Sequence, residues 1–156
     1  MTIVIERINA PTDELATLIG ELDRALGANY EAHQRHGLPL MQLFEPHMLF
    51  FIARYDGAAA GCGGVALFDD YAEVKRMYTR PETRGRGLAK ALLQRIEQEA
   101  RTAGKPVLRL ETGPYQHEAI GLYQRMGFVA CAAFGAYAVM PARNIEMSLF
   151  FEKPLV

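Results

Sequence analysis

Residues 80–90, RPETRGRGLAK, connect a predicted strand to a predicted helix through a turn rich in glycine and arginine. Before the turn, residues 72–79 (AEVKRMYT) carry β-branched and aromatic side chains, which favours a strand. After it, Leu88, Leu92 and Ile96 recur every four residues, as one face of a helix requires. The turn therefore lies at a helix N-terminus, where unpaired backbone N–H groups and the helix dipole attract negative charge.

Positive charge is concentrated around this turn. Between positions 75 and 90 only Glu82 is acidic, whereas the net charge of the 156-residue chain is -1. Gly85 and Gly87 have no Cβ, so an anion can approach their amide groups closely. The basic residues of this segment are Lys75, Arg76, Arg80, Arg84, Arg86 and Lys90. The turn is therefore predicted to bind a diphosphate group.

Two common phosphate loops do not match the turn, because the chain has no G-x-x-x-x-G-K-[ST] and position 90 is lysine, which breaks G-x-G-x-x-G. The pattern R-x-x-G-x-A, from Arg84 to Ala89, instead resembles the acyl-CoA pyrophosphate loop of the GNAT superfamily of N-acetyltransferases. Residues 118–128, EAIGLYQRMGF, are similar to that family's A-x-x-L-Y-x-x-x-G-F ending. Two motifs in this order, about forty residues apart, identify the chain as a member of the superfamily.

The resemblance implies an α/β fold: a mixed, mostly antiparallel sheet of six to seven strands, flanked by about four helices, with splayed fourth and fifth strands. The sequence pattern itself predicts the order β-α-α-β-β-β-α-β-α-β-β. The predicted strands cover residues 2–7, 47–55, 58–68, 72–79, 107–111, 128–133 and 147–151, and the three longer helices begin near residues 11, 88 and 116. Half of the residues are hydrophobic and no linker divides the chain, so a single domain over residues 1–156 is predicted.

The resemblance also implies acetyl-CoA as the co-substrate and indicates which residues bind it. At the end of the fourth strand, backbone N–H groups would stabilise the oxyanion of the thioester. Position 116 is a glutamine where many family members have an asparagine that contacts the cofactor arm. The predicted cofactor-binding residues are Met77, Tyr78, Thr79, Arg84, Gly85, Arg86, Gly87, Leu88, Ala89, Gln116 and Tyr123.

Two residues are predicted to be catalytic. The resemblance implies that Tyr123 donates a proton to the CoA thiolate, and a phenol of reference pKa about 10 is protonated at neutral pH. Glu73 is the predicted base, because it precedes Arg84 by the spacing at which histone-acetylating members carry a catalytic glutamate. An ordered water is the alternative base, and Glu111 and His117 are minor candidates.

The acceptor is predicted less sharply than the donor. In this fold it is shaped by segments that correspond to residues 30–46 and 134–146, which contain aromatic, methionine, histidine and glutamate side chains. We expect a small-molecule amine or an amino acid rather than a protein substrate, with no nucleic-acid and no membrane partner. A homodimer is left open.

Other classes of protein fit the sequence less well. No apolar run approaches the roughly twenty residues of a membrane span, and Cys62 and Cys131 lack metal-ligand or disulfide-rich spacing, so a cytoplasmic location without a metal is expected. A non-catalytic acyl-CoA sensor would keep the 84–89 loop without depending on Tyr123. A nucleic-acid-binding module could use the basic cluster, but the nearly balanced net charge argues against it.

Overall fold

A seven-stranded sheet forms the centre of the computed structural model, which describes residues 2–156. The strands are β1 (Ile3–Ile8), β2 (Met48–Tyr55), β3 (Ala58–Leu67), β4 (Ala72–Thr79), β5 (Val107–Thr112), β6 (Val129–Ala130) and β7 (Leu149–Pro154). The helices are α1 (Asp13–Gly27), α2 (Leu88–Thr102), α3 (His117–Arg125) and α4 (Ala142–Ile145). Single 3-10 turns cover Ala32–Gln34, Leu40–Phe44, Pro81–Thr83 and Gly135–Val139.

The strands lie in the order β1-β2-β3-β4-β5-β7-β6, and every pair is antiparallel except β4 with β5. These two parallel strands pair only at Ala72 with Leu108 and at Glu73 with Arg109. Beyond these positions they diverge, so the sheet opens between them. The predicted fold class, including the splayed fourth and fifth strands, is confirmed.

Helices cover both faces of the sheet. The apolar side of α2 carries Leu88, Leu92 and Ile96 into one core cluster, which also contains Tyr123 of α3. The leucines of α1 form a second cluster on the opposite face. Each fully buried leucine stabilises the fold by roughly 1.5–3 kcal/mol through its removal from water. Thr12 is the N-cap of α1, and its hydroxyl accepts a hydrogen bond from the Leu15 N–H at 3.1 Å.

An irregularity in β4 lies beside the opening in the sheet. Cys62 of β3 is opposite Tyr78, but Gly64 is opposite Lys75, so β4 contains one extra residue in this interval. Arg76 lies in the interval with a φ of 56°, which is uncommon for a residue with a side chain. A bulge of this kind bends the strand and changes the direction of its side chains.

The structure moves the ends of two predicted elements. β6 is restricted to Val129–Ala130 within the predicted 128–133, because the chain then turns into an aromatic cluster formed by Phe134, Tyr137 and Phe150. β7 covers Leu149–Pro154 rather than 147–151, because it pairs with the whole length of β5. Between α1 and β2, two 3-10 turns replace the predicted short helix.

Candidate active site

A cavity of about 130 Å³ opens where β4 and β5 separate. Its wall combines residues of both strands with α3, with the C-terminal part of α1 and with the segment that follows α1. The polar residues that line it are Tyr30, Gln34, Arg35, His36, Glu73, Lys75, Arg76, Glu111, Thr112, Gln116, Tyr123 and Tyr137. Side chains from four distant parts of the sequence therefore face one space.

Tyr123 lies in this wall with its ring almost completely buried. The ring packs edge-on against Phe128 at a centroid distance of 5.8 Å. No residue between positions 2 and 156 forms a hydrogen bond with its hydroxyl group, which leaves the O–H available to another molecule. Burial, followed by the nearby charge of Glu111, raises the pKa of Tyr123, so the phenol keeps its proton at neutral pH.

Glu73 belongs to a compact polar cluster. Its carboxylate accepts a hydrogen bond from the Tyr137 hydroxyl at 2.7 Å and lies 2.8 Å from the Lys75 ammonium. Lys75 also donates to the Tyr137 oxygen at 3.1 Å. Burial first, and then the charge of Glu73, raise the pKa of Tyr137, so this phenol remains a donor. The charge of Glu73 is therefore already paired within the protein.

Glu111 is the second carboxylate of the cavity, and its surroundings are different. The Ser148 hydroxyl donates to it at 2.7 Å, and within residues 2–156 no cation forms an ion pair with it. Burial raises the pKa of Glu111, and the Ser148 hydrogen bond opposes that rise. Of the two carboxylates, Glu111, the minor candidate, is thus the one without an ion-pair partner in the described residues. His117, the other minor candidate, is the first residue of α3.

The predicted backbone contacts lie on the part of β4 that β5 leaves uncovered. The Arg80 N–H donates to the Ala60 carbonyl of β3 at 2.8 Å. Because backbone groups alternate between the two edges of a strand, Tyr78 also directs its N–H towards β3, whereas Met77 and Thr79 direct theirs towards the opening. The Tyr78 side chain lies in the α1 layer, where its hydroxyl donates to Glu21 at 3.0 Å.

The loop before α2 has the geometry that its sequence suggests. Gly85 and Gly87 have φ values of 79° and 87°, and a Cβ on either would meet no other atom within 4 Å. Gly87 is the N-cap of α2, and no side chain there accepts from the first helical N–H groups. Leu88 is buried and Ala89 is half-buried, so they can offer a ligand chiefly their backbone amides. The loop can therefore bind an anion through main chain.

The basic cluster around this loop is smaller than the sequence indicates. Arg80 pairs with Glu21 at 3.0 Å, while Lys75 and Arg76 line the cavity instead of the loop. Arg86 donates to the Tyr55 hydroxyl at 2.8 Å. Within residues 2–156, no acidic side chain pairs with the other two basic residues of this segment, Arg84 and Lys90. Because the Tyr55 hydroxyl is neutral, the loop retains three uncompensated cations beside its amides, those of Arg84, Arg86 and Lys90.

Gln116 lines the cavity from the start of α3. Its side-chain oxygen accepts a hydrogen bond from the Tyr30 hydroxyl at 3.3 Å, and the Tyr30 oxygen accepts from the Tyr115 N–H at 2.9 Å. Tyr30 therefore connects the segment after α1 to the end of β5. In the two segments predicted to shape the acceptor site, the aromatic side chains that line the cavity are Tyr30, His36 and Tyr137.

Sequence reasoning missed the three cations of this wall, Arg35, Lys75 and Arg76. The available signal was two consecutive cations inside the predicted strand 72–79, which the sequence analysis assigns to the phosphate-binding cluster. Only the bulge at Arg76 shows that they face a different ligand site.

Residues 2–156 contain neither a metal-binding cluster of acidic, histidine or cysteine side chains nor a membrane-spanning helix. No group of three or more histidine, cysteine, aspartate or glutamate side chains in this range is placed to hold a metal ion. None of the helices there is both long enough and apolar enough to cross a bilayer.

Comparison with known proteins agrees with the motifs. The model of the Acetyltransferase (GNAT) family matches residues 18–128. The IAA acetyltransferase of Azospirillum brasilense is 44% identical over 155 residues, which are 98% of each chain. The crystal structure of a Klebsiella pneumoniae protein assigned as an acyl-CoA N-acyltransferase has a TM-score of 0.78 and 35% identity, and the match covers 99% of this chain and 98% of that one.

A more distant structure shares the fold. The PaiA N-acetyltransferase of Thermoplasma acidophilum, solved in complex with coenzyme A, matches with a TM-score of 0.71 at 18% identity over 99% of both chains. The family match includes the strand, loop and helices that form the cavity. The predicted resemblance is confirmed, and this chain belongs to the GNAT family of acetyltransferases.

Proposed function

We propose that this protein, as a single domain over residues 1–156, transfers an acetyl group from acetyl-CoA to a primary amine by direct attack in a ternary complex. The observation that carries the proposal is the cavity between β4 and β5, which joins an unpartnered tyrosine hydroxyl to two carboxylates. The name of the A. brasilense relative supports acetyl as the group that is moved. We also propose a cytoplasmic location, in line with the free cysteines Cys62 and Cys131.

The donor would be held mainly by main chain. The amides from Gly85 to Ala89, together with the Arg84 and Arg86 side chains, would bind the pyrophosphate. Gln116 would contact the pantetheine arm, and its side-chain oxygen would then accept hydrogen bonds from both the arm and the Tyr30 hydroxyl. Along β4, Met77, Tyr78 and Thr79 would border the thioester, and the N–H groups of Met77 and Thr79 have the direction needed to stabilise an oxyanion.

The chemistry combines one displacement with the loss of two protons from the acceptor nitrogen and the gain of one by the departing sulfur. A base takes a proton from the acceptor ammonium, and the amine nitrogen then forms a bond to the thioester carbonyl carbon. As the carbon–sulfur bond breaks, the sulfur takes the electron pair, and Tyr123 donates a proton to it. The nitrogen loses its second proton to solvent as the amide forms, and the base releases the first. The products are an N-acetylated amine and CoA with a free thiol, and Tyr123 regains its proton from solvent.

Glu73 is the base that we propose, because it is buried in the wall of the cavity with Tyr137 fixing its orientation. Its pairing with Lys75 favours a route through a water molecule over direct contact with a second cation. Glu111 is the alternative, because burial raises its pKa towards the value that suits a base at neutral pH. Substituting each carboxylate by glutamine distinguishes which of the two, Glu73 or Glu111, acts as the base.

The proposal is tested by titrating acetyl-CoA calorimetrically and then measuring thiol release with a panel of primary amines. We expect saturable binding and amine-dependent release of CoA. Binding without turnover for any amine would favour a non-catalytic acyl-CoA sensor, and a lack of acetyl-CoA binding would overturn the proposal. Titration with DNA and RNA in the same buffer serves as the control for the basic segment and should give no heat of binding.

A further inference from the structure

The charges on the cavity wall do not all cancel within the protein. Three cations line it, namely Arg35, Lys75 and Arg76, and two carboxylates, Glu73 and Glu111. Lys75 pairs with Glu73 at 2.8 Å, and Arg76 pairs with Asp23 of α1. Among residues 2–156, neither Arg35 nor Glu111 forms an ion pair. One positive and one negative charge are therefore left for a ligand.

Arg35 is held on the wall by its neighbours. The His36 Nε2–H donates to the Asn144 carbonyl at 2.8 Å, and the imidazole ring packs edge-on against Tyr137. Gln34 donates to Glu146 at 3.3 Å, so residues on both sides of Arg35 are tied to the region of α4. The Arg35 Nε is buried, and it has no hydrogen-bond partner within residues 2–156. Buried guanidinium nitrogens normally have a partner, and a carboxylate is the group that matches their geometry.

The β4 bulge directs a second guanidinium to the same side. Arg76 adopts its left-handed backbone conformation with a side chain that is only 4% exposed, and it lies over Gly37, where any Cβ would collide with it. Its Nε is also buried without a partner in residues 2–156. A regular strand would place Lys75 and Arg76 on opposite faces, whereas both line this cavity. The unusual backbone therefore increases positive charge in one part of the wall.

Glu111 provides the opposite charge from β5. Its carboxylate has one hydrogen bond, from Ser148, and retains the capacity to accept more. An ammonium group at Glu111 would neutralise it beside Tyr123, whose hydroxyl is proposed to act on the leaving thiolate. An acceptor amine at this position would thus lie next to the reacting groups.

We propose that the acceptor is a free amino acid, whose ammonium group binds at Glu111 and whose carboxylate binds at Arg35, on the wall that Arg76 also lines. This inference rests on the proposed function and names its substrate class. A monoamine would leave the Arg35 charge unpaired, and a lysine of a protein would bring its charged group into the cavity without a neighbouring carboxylate. An amino acid satisfies both charges with one small molecule.

The test uses pairs of acceptors that differ only in the carboxylate, in assays of thiol release with the full-length protein. Suitable pairs are phenylalanine with 2-phenylethylamine, leucine with 3-methylbutylamine, and 4-aminobutyrate with propylamine. The amides of the first two amino acids complete the set. We expect kcat/KM for at least one amino acid to exceed that of its carboxylate-free partner by tenfold or more. Equal or better turnover of the amines would overturn this inference and leave the proposed N-acetyltransferase function intact.

A matched pair of variants locates the carboxylate site. Arg35→Gln should reduce the amino acid to amine ratio of kcat/KM about tenfold by raising KM for the amino acid, whereas Arg24→Gln on the exposed side of α1 should leave the ratio unchanged. If Arg35→Gln kept the preference for the amino acid over the amine, the assignment of the carboxylate site to Arg35 would be wrong.

A readout independent of turnover is saturation-transfer NMR of each acceptor pair with CoA present. Only the amino acids should give a signal, and the signal should weaken in Arg35→Gln. If neither member of any pair binds, the inference is wrong, whatever the acetyl-CoA titration shows.

Discussion

The loop at 84–89 and the cavity between β4 and β5 are two binding regions that use opposite means. The loop is an exposed, local segment whose ligand groups are backbone amides, and its glycines have open space around them. The cavity is built from side chains of α1, β4, β5 and α3. Two of its cations are fixed by ion pairs, Lys75 with Glu73 in the same strand and Arg76 with Asp23 of α1. The loop can therefore bind the same donor in proteins of different sequence, because it uses backbone amides. The cavity can be specific for one acceptor, because it uses side chains.

Gly87→Glu is expected to have the largest effect, because it should largely abolish donor binding at the loop without changing the cavity. The new carboxylate would stand where phosphate oxygens are expected, and like charges at that distance cost several kcal/mol, so acetyl-CoA binding should weaken about 1000-fold or more. Calorimetric titration measures this loss.

Gly57→Glu is the matched control for that change. Gly57 lies in the β2–β3 turn with a φ of 88° and open space around it, so both variants should lose roughly 1 kcal/mol of unfolding free energy from backbone strain. Only the change at Gly87 should affect acetyl-CoA. Equal donor binding by the two variants would show that the loop is not the pyrophosphate site.

Tyr123→Phe tests whether the phenol in the cavity wall acts on the donor that the loop is proposed to bind. Removal of the phenol proton should lower kcat about 100-fold and leave the Kd of acetyl-CoA within twofold, because general acids contribute about that much and the ring remains in place. Steady-state thiol release measures the first quantity and calorimetry the second. Tyr115→Phe, a change at an exposed tyrosine near α3, is the control, and an unchanged kcat in Tyr123→Phe would refute the proton-donor role.

Glu73→Gln should have a smaller effect, since the glutamine oxygen can still accept from Tyr137 and a water route can partly replace the base. We expect about a tenfold lower kcat/KM at neutral pH and an altered pH–rate profile. The profile of Glu111→Gln, recorded in parallel, shows which carboxylate controls the pH dependence. A profile that Glu73→Gln leaves unaltered would assign the proton to Glu111 or to water.

The smallest effect concerns stability. Burial raises the pKa of Glu111, so its contribution to stability is present below the unfolded-state pKa of about 4.3 and is lost as pH rises through the higher folded-state value. Glutamine carries no charge and can still accept from Ser148, so Glu111→Gln should stabilise the fold by about 1 kcal/mol at pH 8 and by much less at pH 4. Thermal unfolding at the two pH values tests the sign, and a destabilised variant at pH 8 would contradict it.

The fold could be predicted from local patterns because each one is contained in a short segment. The four-residue spacing of Leu88, Leu92 and Ile96 defines α2, and the glycine turn before it defines the donor loop. The ends of β6 and β7 could not be predicted, since β7 takes its length from pairing with β5, a strand forty residues away in the chain.

The residues of the candidate donor site could be named from the sequence for the same reason. Tyr123 and the 84–89 loop belong to contiguous motifs, and Tyr123 lines the cavity, while the roles of both towards the donor stay predictions. Arg35 belongs to no motif, and the direction of Arg76 depends on one extra residue in β4. Such features follow from register and long-range packing, which a local pattern does not contain.

The pairing of β4 with β5 at only two positions has a consequence for motion. The sheet consists of two parts, which we call plates: β1–β4 and β5–β7–β6. Backbone pairing joins them only at Ala72 and Glu73 of β4. Each plate has its own ladder of hydrogen bonds, so opening events can be confined to one plate, and amide hydrogen exchange should resolve two groups of protected strands. A molecule that fills the gap would touch both plates and join them, so that substrate binding would lock the two halves of the protein into a single cooperative unit.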